Sequence, residues 1–80
     1  MQLPIINLNG TARHDLLRDH IEALQALQEA IGKLSAVSPH GRDYQTTPGA
    51  YEIARSEHAD RITKLRQVAA EIETIAESLA

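Results

Sequence analysis

The sequence predicts an all-α fold: an antiparallel two-helix hairpin with an extended N-terminal arm, dimerising into a four-helix bundle. Three observations carry that expectation. Two long stretches place apolar residues three or four positions apart, the repeat of a helix with one buried face. A polar segment with Pro39 and Gly41, followed by Pro48, separates them. The apolar start of the chain is interrupted by Pro4 and is too short to form a sheet alone. Eighty residues fit a single domain spanning 1–80.

The arm covers 1–10. Leu3-Pro4-Ile5-Ile6 is rich in branched apolar side chains, and proline biases the residues before it toward extended geometry. Such a segment must lie over a helical surface or meet the same arm of another subunit. Asn9-Gly10 supplies turn chemistry, and Thr11 is the expected N-cap of the first helix.

The first helix is expected over 12–37. Leu17, Ile21, Leu24, Leu27, Ile31 and Leu34 form its stripe, with Ala23, Ala30 and Val37 beside it. Glu29 and Lys33 stand in the favourable i,i+4 order. Ser38-Pro39 ends the helix, because proline disfavours helical geometry in the preceding residue. A loop follows over 38–47.

The second helix is expected over 48–79, with Thr47 as N-cap and Pro48 in the first helical position. Its stripe runs Tyr51, Ala54, His58, Ile62, Leu65, Ala69, Ile72, Ala76 and Leu79, close to a coiled-coil heptad. Val68 and Ile75 widen it on one side. Glu57–Arg61 and Asp60–Lys64 are two further i,i+4 pairs.

Each apolar face is wider than a two-stranded seam requires. Leaving the excess in water forfeits roughly 1.5–3 kcal/mol per large side chain. Self-association is the expected remedy. The residues assigned to core or dimer are Leu17, Ile21, Leu24, Leu27, Ile31, Leu34, Ile62, Leu65, Val68, Ile72, Ile75 and Leu79. The competing arrangement is a monomer capped by its own arm.

Composition narrows the function. A formal net charge of −3 gives no broad positive field for a phosphate backbone. Arg55, Arg61, Lys64 and Arg66 could serve a nucleic-acid accessory role, but Glu57 and Asp60 interleave with them and no aromatic side chain accompanies them for base stacking. No apolar run approaches the ~20 residues of a membrane span. The start has neither a basic region nor a long apolar stretch, and the expected location is cytoplasmic. With no Cys, neither a disulfide framework nor a cysteine-ligated zinc can form.

No catalytic, metal or cofactor site is expected. His14 and His20 are six apart and do not share a helix face. Asp15 and Asp19 could share a cation with His14 nearby, but acidic residues near a helix start are ordinarily a solvated face complementing the dipole. Gly10, Gly32, Gly41 and Gly49 are scattered, so no phosphate-cradling loop exists. His20 and His58 sit on or beside the stripes. They are expected to be hydrogen-bonded residues that set register, with His58 opposite Leu27 or Gln28 and His20 opposite Leu65 or Arg66. A pH-sensitive association is the alternative, since imidazole changes charge near neutrality.

The loop is the most chemically varied segment. His40, Arg42, Asp43 and Tyr44 bring imidazole, guanidinium, carboxylate and phenol to one tip, where a rigid helical pair can display them to a partner. The plainer reading is turn punctuation, with Asp43 pairing with Arg42 or capping, and Tyr44 packing on Tyr51.

Asn7-Leu8-Asn9-Gly10-Thr11, His40-Gly41-Arg42-Asp43-Tyr44 and Glu57-His58-x-x-Arg61 resemble motifs of a group of small helical-hairpin proteins of tailed bacteriophages and prophages. The likeness extends over nearly the whole length, with the arm and loop as its distinctive parts. It implies the cytoplasm of a bacterial host and carries over no catalytic residue. The expected function is a non-enzymatic accessory protein that binds a protein partner as an inhibitor or modulator. The alternatives are a structural oligomerisation component and a nucleic-acid accessory factor.

Overall fold

A computed structural model describes residues 1–6 and 12–80. Two helices, α1 (Arg13–Ser35) and α2 (Ala50–Leu79), dominate it. Among the described residues there is no strand, and the pair forms a helical hairpin. At 1.5 Å per residue the rods measure about 35 and 45 Å.

Both helices are shorter than their patterns suggest, each for a local reason. The expected cap Thr11 and the Asn9-Gly10 turn lie outside the described residues. The helix proper starts from Ala12, which is extended (φ −59°, ψ 142°) and offers no side-chain cap. Its carbonyl accepts the Leu16 N–H at 3.0 Å. The end of α1 comes before Ala36-Val37. There the last turn tightens: the Val37 N–H reaches back only to the Leu34 carbonyl, at 3.1 Å, and the Ser38 hydroxyl donates to the Ser35 carbonyl at 2.8 Å. These bonds satisfy carbonyls that α1 would otherwise leave open.

At the start of α2, Thr47-Pro48 is not a cap followed by a first helical residue. The Ala50 N–H donates to the Thr47 carbonyl at 3.2 Å, and Gly49 sits at φ 79°, ψ −9°. Proline second and a left-handed glycine third make a type II turn. The helix therefore begins two residues later, with Gly49 at its N-cap.

The α1 seam is Leu17, His20, Leu24, Leu27, Ile31 and Leu34, all buried or half-buried. Its spacings alternate strictly between three and four, the repeat of knobs-into-holes packing. Ile21 is displaced from the seam by His20 and is 40% exposed. In α2 the nine stripe residues from Tyr51 to Leu79 are all buried or half-buried as expected. Val68, outside the seam, is 46% exposed. As intramolecular core, Ile21 and Val68 are therefore corrected.

The register also differs from expectation. Gln28, Ile31 and Gly32 share a cleft with Arg66, Ala69, Ala70 and Glu73, so Ile31 faces Ala69. Gln28 thus lies near Glu73, not His58, and Arg66 lies near Gln28, not His20. His58 instead lines a cleft with Ser35, Ser38 and Pro39. Counting outward from the middle of the loop misplaces these pairs, because the loop folds back along α2. The 3-10 turn Gly41–Tyr44 packs on that helix, and the first two turns of α2 run beyond the end of α1.

The arm enters at the opposite end. Pro4 and Ile6 are half-buried while Leu3 and Ile5 are exposed, the alternation of extended chain. Leu79, at this same end, is the most buried side chain of the core.

Candidate functional site

The hairpin tip is built in three steps. The end of α1 turns through Ala36-Val37 and is closed by Ser38. His40 then adopts an extended backbone (φ −112°, ψ 134°) and caps the 3-10 turn. Its Nδ1 accepts a long hydrogen bond, 3.5 Å, from the Arg42 N–H, and its carbonyl accepts the Asp43 N–H at 3.0 Å. With Nδ1 accepting, the proton of the neutral ring sits on Nε2. Finally Tyr44 lies on Tyr51, with ring centroids 6.4 Å apart and planes tilted by 45°. This offset geometry suits the aromatic quadrupole and ties the loop to the first turn of α2.

The four loop residues proposed for partner binding thus have different fates. His40 caps, and Tyr44 is half-buried against Tyr51. Arg42 and Asp43 are exposed. The ion pairs formed within 4.0 Å among the described residues include neither of them. The expected Arg42–Asp43 pair is absent, and the capping role falls to His40. Asp43 instead lines a cleft of about 460 Å³ with Glu57, His58 and Arg61.

His58 stands between that cleft and a second, of about 430 Å³, which Tyr51, Arg55 and Thr63 also line. Its Nε2 is shielded from solvent and has no hydrogen-bond partner. The expectation of a hydrogen-bonded seam histidine is corrected here. It holds for His20, whose Nδ1–H donates to the Leu16 carbonyl at 2.8 Å. That bond runs within one helix turn. At His58 the ring is lodged where α1 has ended and the loop passes over it.

The remaining candidate groups do not converge. Arg18 lies between Asp15 and Asp19 and contacts both at 3.4 Å, while His14 pairs with Asp15 at 3.3 Å. The charge that those carboxylates share is thus a guanidinium. Among the described residues no three His, Asp or Glu side chains gather as a metal site would require. The basic residues are divided by the helix. Arg55 and Arg66 line clefts on one flank, Arg61 lines a cleft on the other, and Lys64 lines none of the three. Glu57–Arg61 and Glu29–Lys33 form as expected, each at 3.7 Å. Asp60–Lys64 is not among the pairs within 4.0 Å. Among the described residues no helix is long and apolar enough to cross a membrane.

Sequence reasoning missed the type II turn and put Ile21 in the stripe where His20 stands. Both had signals: Pro48-Gly49 is the central pair such a turn prefers, and position 20 falls on the three-four alternation between Leu17 and Leu24. Comparison with family models, curated proteins and solved structures returns no match.

Proposed function

We propose that this chain is a non-enzymatic helical-hairpin accessory protein of the tailed-phage and prophage type, which binds and modulates a protein partner in a bacterial cytoplasm through its tip. The observation that carries this reading is the pairing of free charge with a stiff base. Arg42 and Asp43 are exposed and unpaired within 4.0 Å, on a turn held by the His40 cap and the Tyr44–Tyr51 contact. A pre-ordered loop loses little entropy on docking, and arginine is among the residues that dominate interface energetics. The tip clefts are open, and the Ser38 hydroxyl and His58 that line both are not bonded to each other through His58 Nε2: Ser38 donates to the Ser35 carbonyl, and His58 Nε2 has no partner. This favours recognition over catalysis.

The test is affinity capture from a bacterial lysate with the wild-type chain and an Arg42→Ala/Asp43→Ala variant. Both side chains are exposed, so helicity and melting temperature stay unchanged. Specific capture is expected to be lost, and an identical set of captured proteins would refute the tip as the binding site. The assembly reading is favoured by a different observation, the large surface that the hairpin exposes, 6088 Å². The nucleic-acid reading has no comparable support, because the basic residues divide between two flanks.

A further inference from the structure

The seam divides the hairpin surface into two flanks. On α1, residues one place after a seam position include Gln28 and Ser35, and on α2 they include Arg66 and Glu73. Their shared clefts put them on one side. The other flank follows the seven-residue series 16, 23, 30, 37 and 54, 61, 68, 75. Its tip end is identified by the cleft that Val37, Ala54 and Arg61 line together.

The two flanks differ in chemistry. The first carries Gln28, Ser35, Arg66 and Glu73, with Ile21 near the base, Gly32 and Ala70 at its middle and Ala59 near the tip as its apolar positions. The second is apolar from the base to beyond its middle: Leu16, Ala23 and Ala30 on α1, Val68 and Ile75 on α2. Ala23 and Ala30 are exposed, Val68 is 46% exposed, and Leu16 and Ile75 are half-buried. With residues 1–6 in place Val68 remains 46% exposed.

We infer that a second copy of this chain docks on the flank of Ala23, Ala30, Val68 and Ile75. The area available favours a second copy as the occupant. The chain exposes 6088 Å², whereas a compact monomer of 8.8 kDa exposes about 4,800 Å². The excess, roughly 1,300 Å², exceeds the ~800 Å² that each partner contributes to a standard interface. The radius of gyration, 18.1 Å, is likewise well above the ~12 Å of a compact 80-residue domain. Small residues let backbones come close: alanines at 23 and 30 leave room for Val68 and Ile75 of a facing hairpin. Asp19, Lys33, Lys64 and Glu71 border the strip on its outer side and carry both signs. Such a rim suits a two-fold interface, in which one patch meets itself. Asp43 lines the cleft at the tip end of this flank, while the apolar strip lies toward the base, so a substitution at Val68 tests the interface without altering Arg42 or Asp43.

Sedimentation of the full chain tests it. The expected mass is twice 8.8 kDa. Val68→Glu should halve that mass, and Gln28→Glu on the polar flank should leave it unchanged. A wild-type chain that sediments as a monomer, or a Val68→Glu chain that keeps the doubled mass, overturns the proposal. Should Val68→Glu unfold, single thiols decide, because the chain has no native cysteine. Maleimide labelling of Ala30→Cys should slow as concentration rises through the association range, while that of Gln28→Cys should not. Equal rates at all concentrations, or Ala30→Cys protected even in a monomer by the chain's own arm, also overturns it.

Discussion

The shaft and the tip of this hairpin are held by different physics. In the shaft, Ile31, Ala69, Ala76 and Leu79 are the buried core, and a three-four repeat on each helix brings them together. A polar group there finds its partner within its own helix, as His20 does with the Leu16 carbonyl. At the tip the repeat has ended. Order there comes from individual devices: a hydroxyl on a carbonyl, a ring nitrogen on an amide, a left-handed glycine and two tilted phenols. One polar atom, His58 Nε2, is left without a partner. Stability is therefore concentrated in the shaft, and the tip depends on a few separate contacts.

The largest expected effect breaks the shaft. Ile31 is 7% exposed and faces Ala69, and the small partner offers nothing to fill a void. Ile31→Ala should cost about 2–5 kcal/mol. A domain of this size has a total stability of only about 4–12 kcal/mol. The thermal midpoint, read by circular dichroism at fixed protein concentration, should fall by about eight degrees or more, at roughly 4–8 °C per kcal/mol. Arg42→Ala at the tip should leave it unmoved. Similar losses from both would erase the distinction drawn here.

The next effect has the opposite sign. A shielded polar atom without a partner costs about 1–3 kcal/mol, and His58 carries one. His58→Leu removes it and continues the apolar stripe between Ala54 and Ile62. The variant should melt several degrees higher than the wild type, at about 4–8 °C per kcal/mol. His20→Leu loses a formed hydrogen bond and should gain less. If His58→Leu melts at or below the wild-type temperature, the imidazole is contributing a contact that the unpaired nitrogen conceals.

This contrast also explains what could be read in advance. The α2 stripe and the Glu29–Lys33 and Glu57–Arg61 pairs follow from spacing, because a helix converts sequence separation into direction, whereas the Tyr44–Tyr51 contact joins the 3-10 turn to α2 through the chemistry of two aromatic rings. Ile21 was misplaced because four-residue and three-residue steps are both helical. Only the partner helix decides between positions 20 and 21. The pairing of Gln28 with Glu73 depends on how far the loop folds back over α2, a tertiary choice with no period to reveal it. The orphaned nitrogen of His58 follows from that choice and was invisible for the same reason.

The smallest effect isolates one of the tip's devices. Gly49 sits at φ 79°, and a Cβ built there meets nothing within 4 Å. Any loss on substitution therefore reports backbone conformation and not crowding. Gly49→Ala should cost about 1–2 kcal/mol, the penalty of a left-handed L-residue. Gly49→Asn should cost less, since asparagine tolerates that region. The ranking Gly, then Asn, then Ala in melting temperature would establish that the type II turn starts α2. Equal stability of Gly49→Ala would mean that Thr47-Pro48 can initiate the helix directly. The tip would then be able to re-form from the next residues along, and its geometry would rest on the Tyr44–Tyr51 contact alone.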